Sequence, residues 1–305
     1  MLKQSRRKHI LRRSFFCSLA RLMLKPLWKT YFPAIKSILC NFFCLQYKAV
    51  LFPKTARVSR VDHPLDERIP FTPSWIKVYM DFSPFWIRTQ AFLSCAFGAA
   101  ANPHIACFVR GIGELYAYAA VVYQQNFSTT RRPFYLGKPG FISIHILDPH
   151  LMCIPSLHVM VVIMTYTKMR QVLEILDSKN EYAGEIELVR RRALDITESI
   201  LYVKQHSINC IAAALYAMTC FDRNLFPQSE AHDFVDGLFA GGGSVSPPSS
   251  TAIKKHILDL YHTFLEARLK CKSWEGPLLD FLANAGMMNQ DQADSGTLRR
   301  YGEPA

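Results

Sequence analysis

The first 61 residues contain no Asp and no Glu, although they hold fourteen Lys or Arg. The 305-residue chain therefore carries its +12 formal charge unevenly, because 22 basic and 24 acidic residues remain for everything after residue 61. A segment of one sign seeks anions, and phospholipid head groups or nucleic acid are the common ones. No base-reading helix accompanies the charge, so a nucleic-acid partner is not expected. Other absences narrow the class further. The nine cysteines include no CxxC pair, which argues against a zinc knuckle or a thioredoxin-like motif. Their odd number and apolar neighbours, at Cys95, Cys107, Cys153, Cys210 and Cys220, suit buried thiols better than a disulfide framework. Cys40 and Cys44 lie four apart with no His or carboxylate cluster to complete a metal site. Gly241-Gly242-Gly243 lacks the Lys-Ser/Thr of a phosphate-cradling loop. No internal repeat and no period-two alternation of apolar residues is evident, which leaves an all-α class, a helical bundle.

What is present is apolar. Half the residues are hydrophobic and 20% are charged, which excludes bulk disorder. The N-terminal segment imitates a signal peptide, but its apolar run from Ser14 to Ala20 is short and is cut by Arg21. Phe15, Leu19, Leu22 and Leu24 share a helical face flanked by Arg13, Arg21 and Lys25, the pattern of a segment lying on an anionic bilayer. Four uncharged windows, 89–109, 115–130, 149–167 and 205–221, approach the length that spans a bilayer. Buried helices of a large soluble bundle would show the same windows. With the basic flank, the expectation is an integral membrane protein whose N-terminus is cytoplasmic. Four segments follow: a basic leader (1–73), a helical core (74–236), a glycine- and proline-rich linker (237–251), and an amphipathic helix with a frayed tail (252–305).

Three short motifs stand in order on this apolar core. Arg132-Pro133 offers a planar fork for phosphate oxygens. Pro155-Ser156-Leu157-His158 reads as the start of a helix, where backbone N–H groups and the helix dipole favour an anion and His158 can protonate a leaving oxygen. Lys204-Gln205-His206 precedes an uncharged Ala- and Ile-rich helix, so His206 needs partners and can serve as a nucleophile toward phosphorus. His145, Asp148 and His150 could ligate a metal, but they fit a loop feeding the phosphate site better.

In order and spacing, with 24 residues from Arg132 to Ser156 and 48 between the two His, these motifs resemble those of the type-2 phosphatidic acid phosphatase and vanadium haloperoxidase superfamily, in its inositol-phosphoryl transferase-like branch. The likeness covers roughly residues 85–222. It implies a helical, membrane-embedded bundle that works without a metal or other cofactor on a lipid or isoprenoid phosphate. It further implies that His206 forms a phosphohistidine, that His158 is the general acid, and that Arg132 and Ser156 hold phosphate oxygens. Lys204 is the candidate to supply a missing positive charge. Three positions depart from the family pattern: Gln125 stands for Lys, Ile200 for Arg, and Cys210 for the Asp that orients the nucleophile. The last departure opens an alternative, a catalytically degenerate member that binds lipid phosphate or has a structural role in the membrane.

Overall fold

The computed structural model describes residues 10, 13–23, 28–241 and 244–294, so residues 1–9, 11–12 and 24–27 (with Leu24 and Lys25 of the amphipathic face), Gly242-Gly243 and the C-terminal tail lie outside it. The chain is mostly helical. Helices α1 (Phe15–Met23) and α2 (Trp28–Ile38) lead through a π-helical turn, Leu39–Cys44, into α3 (Leu45–Leu51). After β1 (Val58–Arg60) come α4 (Ile76–Tyr79), α5 (Phe82–Phe97), α6 (Asn102–Tyr123) and β2 (Phe127–Thr129). Then follow α7 (Pro139–Leu147), α8 (Leu157–Leu176), α9 (Ala183–Tyr202), α10 (Ile208–Phe221), α11 (Gln228–Gly237), α12 (Pro247–Arg268) and α13 (Gly276–Asp294).

Two helices carry the core because they are apolar on nearly every side, as helices enclosed by other helices must be. α8 buries an unbroken run from Val159 to Thr167, and α10 buries every residue from Ile208 to Thr219. α8 packs on α5, α6, α9 and α10, while α12 covers α10. Windows 149–167 and 205–221 therefore face protein, and α10, at fourteen residues, is too short to span a bilayer. Among the described residues two helices are long and apolar enough to cross a membrane, Lys29–Leu51 and Pro73–Tyr123. The second contains windows 89–109 and most of 115–130. The first lies inside the stretch read as a surface leader, and its side chains are largely exposed, Phe32, Leu39, Phe43 and Leu51 among them. It rests on α6 at a close crossing, where a Cβ on Gly113 would meet the Ala34 Cα at 3.0 Å and Ser37 Oγ donates to the Gly113 carbonyl at 2.6 Å.

The structure corrects the segment boundaries. Residues 58–72 belong to the core: β1 pairs in parallel with β2, Val58 opposite Phe127, a ladder absent from the sequence reading. The linker is partly built in. Leu238 is buried, the Phe239 amide donates to Glu198 Oε1 at 2.8 Å, and α12 already begins at Pro247. Among the cysteines expected to be buried, Cys153 and Cys210 are, Cys220 is half-buried, and Cys95 and Cys107 are exposed.

α12 is fastened to the core by a pair of imidazoles. His256 stacks on His63 with centroids 3.8 Å apart, and its Nε2 lies 2.8 Å from Asn209 Oδ1. Burial, and then the neighbouring His63, push the His256 pKa down to about 4, so the folded state keeps this ring neutral while the unfolded chain protonates it from about pH 6.5 downward. Between those two values the unfolded state binds the extra proton, and stability falls as the pH is lowered. We expect the thermal midpoint to drop between pH 7 and pH 5, and His256→Phe, which keeps the stack, to drop less. Melting curves at matched ionic strength check this; equal slopes for both proteins would refute it.

Candidate active site

The three motifs meet. β2 and the short bridge Ser128–Met152 bring the chain after Thr129 beside the chain before α8. The Ser128 amide donates to the Leu151 carbonyl at 3.0 Å, and the Ile154 amide donates to Ser128 Oγ at 2.7 Å. The Tyr123 hydroxyl donates to the Pro155 carbonyl. Ser156 is then the N-cap of α8, but its side chain makes no capping bond: Oγ is buried without a hydrogen-bond partner. His158, one residue into α8, is sandwiched between Tyr79 (centroids 4.8 Å, stacked) and Phe82 (4.5 Å).

His206 lies in the turn joining α9 to α10, where its amide donates to the Ile200 carbonyl at 3.2 Å. Its ring is 5.4 Å from that of His158, and its Nδ1 is buried without a hydrogen-bond partner. Arg132 reaches the same turn: Nη1 donates to Gln205 Oε1 at 3.2 Å and to the Asp148 carbonyl at 3.3 Å. His206 thus lies beside His158, Arg132 is tied to the residue before His206, and Ser156, two residues before His158, keeps a buried hydroxyl without a partner. A buried hydroxyl and a buried ring nitrogen without partners each carry an unfavourable desolvation that a bound oxyanion would relieve.

Lys204 does not join them. Its ammonium donates to the carbonyls of Asp66 and Ile69, each at 2.5 Å, and burial lowers its pKa from the ordinary lysine value. It ties down the turn and points its charge away from His206 and Arg132. Gln125, at the family's Lys position, bonds its own helix at Val121. Cys210 is fully buried, with its thiol against that of Cys153. Among the described residues no carboxylate bonds the His206 ring; Asp148 accepts from the His150 amide, and Glu198 accepts from Phe239 and Arg191.

His150, which the sequence places in a loop feeding the site, lies 6.3 Å from His206, with Nε2 2.9 Å from Thr130 Oγ1 and 3.8 Å from Cys153 Sγ. Three supports have no signal in the sequence. Gln205 adjoins His206, but nothing in its sequence context shows that it anchors Arg132. Tyr79 and Phe82 come from a distant stretch without any motif. Among the described residues no group of three or more His, Cys, Asp or Glu side chains is arranged to hold a metal ion. In the chain segments next to Arg132 and Asp148, Phe134 is 81% exposed, Ile146 69% and Leu147 57%, and the Tyr47 hydroxyl donates to the Leu147 carbonyl, joining the end of α7 to the exposed helix 29–51.

Gln205→Leu removes the acceptor that holds Arg132. A hydrogen bond to a charged group contributes about 1.5–3 kcal/mol, so the Kd for a tetrahedral oxyanion such as inorganic phosphate should rise about tenfold or more. Isothermal titration at fixed pH measures it, and an unchanged Kd would mean that Gln205 does not position Arg132 for an anion.

Comparison of the chain with protein-family models, with curated proteins and with solved structures finds no match.

Proposed function

We propose that this protein is a metal-independent phosphatase or phosphotransferase acting on a lipid or isoprenoid phosphate through a phosphohistidine at His206. The observation that carries the reading is the approach of His206 to His158, with Ser156 Oγ and His206 Nδ1 buried and unpartnered beside them. Arg132, held by Gln205, and the amides at the start of α8 supply positive potential for a tetrahedral anion. A neutral His206 ring nitrogen attacks phosphorus in line. The P–N bond forms as the ester P–O bond breaks; His158, which burial and then the nearby His206 push down to a pKa of about 3 in the free protein, takes up a proton together with the anionic substrate and gives it to the leaving alcohol. Water, or a second alcohol, then takes the phosphoryl group from His206 and returns the proton to His158.

The lipid part rests on the exposed Phe134, Ile146 and Leu147, close in the chain to Arg132 and Asp148, and on the two helices long enough to cross a bilayer. Exposed apolar side chains near Arg132 suit a substrate whose head is charged and whose tail is not. On this reading the protein is integral to a membrane, its N-terminus is cytoplasmic, and anionic lipids contact residues 1–61. A second reading, binding without turnover, is favoured by one observation: the family's orienting carboxylate is Cys210, and the His206 Nδ1 has no partner.

One experiment separates the two readings. The purified chain is mixed with phosphatidic acid or an isoprenoid monophosphate labelled in the phosphate, then quenched and mapped by mass spectrometry. A phosphoramidate, stable to alkali and labile to acid, on the peptide holding His206 supports the enzyme. Binding of the labelled lipid without any phosphohistidine supports the second reading and ends the first.

A further inference from the structure

We propose that Asp66 is the positioning carboxylate of the His206 turn, held outside the helix where the resembled family keeps its own. The inference rests on reading His206 as the reacting group. In that family the orienting Asp stands four residues after the nucleophile. Here that place is a buried thiol, and no carboxylate bonds the ring among the described residues. The turn itself is nonetheless bonded on both sides of His206 to a single distant segment. The Tyr202 carbonyl accepts from the Thr72 amide at 2.8 Å. Lys204 Nζ is bound by the Asp66 and Ile69 carbonyls. Asp66 Oδ1 accepts from the Ile208 amide at 2.9 Å, and the Ser207 hydroxyl donates to the same carboxylate. Asn209 Nδ2 donates to the Val61 carbonyl at 3.1 Å.

Asp66 is the one residue whose backbone and side chain both take part. Its Oδ2 accepts from the His63 amide at 2.8 Å, which closes the capping box of the 3-10 turn Pro64–Arg68 and fixes the carboxylate before it meets α10. A negative charge at the first amides of α10 also complements that helix's N-terminal dipole. Lys204 has φ +55°, the left-handed region that costs a residue with a side chain about 1–2 kcal/mol. The two carbonyls on its ammonium hold it there. His206 is thus oriented through its backbone neighbours, so Asp66 sets where the ring points without touching it.

The test is Asp66→Asn in the full chain, read by carbethoxylation of each histidine with diethyl pyrocarbonate and by kinetics. The amide cannot accept at both oxygen positions, so one bond to the turn is lost. The expected result is that His206 labels several-fold faster, while His158, in the same site but on α8, and His232 and His262, far from it, keep their wild-type rates. In the same variant kcat for the phosphomonoester falls about tenfold or more with KM nearly unchanged, because ring orientation matters most in the transition state. Asp66→Glu should recover part of both effects. Unchanged labelling at His206, or equal acceleration at every histidine, overturns the proposal. Faster labelling confined to His206 in a protein that turns over no phosphate, before or after substitution, upholds Asp66 and removes His206 from catalysis. If Asp66→Asn does not fold, Ser207→Ala removes a single bond to the carboxylate and should give the same pattern with smaller size.

Discussion

Replacing His206 with Ala should lower phosphomonoester turnover by about 10⁴-fold or more, the scale on which a nucleophile acting with its partners is felt. The fold should survive although the residue is nearly buried, because Nδ1 has no partner to lose, the ring's one side-chain partner is the weakly bonding Cys153 thiol, and the backbone of the turn is held by its neighbours. His158→Ala should behave differently. Loss of a general acid costs about 10²–10⁴-fold, and only when the leaving alcohol needs a proton. With p-nitrophenyl phosphate, whose leaving group departs as a stable anion, His158→Ala should keep most of its activity while His206→Ala keeps none. Circular dichroism and lipid-phosphate binding should match wild type in both variants. Full activity in folded His206→Ala would remove the nucleophile from the scheme. The same sensitivity of both variants to the leaving group would reverse or dissolve the assignment of roles.

Replacing Asp81 with Ala should destabilise the protein by about 3–5 kcal/mol, the cost of removing one partner from a buried ion pair. Asp81 precedes α5 and carries two guanidiniums: Arg88 Nη2 at 2.5 Å on one oxygen, and Arg192 Nε and Nη2 at 2.9 and 2.7 Å on the other. Its side chain is only 11% exposed, as is that of Arg88, so water cannot take its place. Arg88 Nε already lacks a partner, so truncating Asp81 strands a nearly buried cation and releases α9 from the α4–α5 corner. That corner also sets the site, because Tyr79 and Phe82, the two rings around His158, lie on either side of Asp81 in the chain. Activity should therefore fall along with stability. Replacing Asp81, Arg88 and Arg192 together by Leu, Met and Met should cost much less than Asp81→Ala, since no charge is then left without a partner at that point. Urea titration of the three proteins in the same detergent measures the differences. A loss below about 1 kcal/mol for Asp81→Ala would show that solvent screens this pair as it does exposed ones.

The helical class was legible in the chain, and short local motifs singled out His158, His206, Arg132 and Ser156 as candidates, of which His158 and Arg132 are packed against the Gln205-His206 segment. Local motifs record what neighbouring residues must do together, such as start a helix or present a hydroxyl at its N-terminus. Lys204 was misjudged for the same reason: adjacency to His206 suggested a shared task, but its side chain turns the other way, to carbonyls of residues 66 and 69. The apolar windows were read as candidates for lipid. Periodicity reports that a helix is apolar, not whether its neighbours are lipid tails or other helices, and α8 and α10 proved to be enclosed by protein. Asp66, Asp81, Tyr79 and Gln205 carried no readable mark, since an ordinary carboxylate, ring or amide acquires a role only from what long-range packing sets against it. The residue types and their order along the chain determined the available chemistry. The parallel ladder, the crossing of α8 with α9 and α10, and the segment before α4 decided which groups share one volume, because contacts between residues far apart in the chain depend on how the whole core closes.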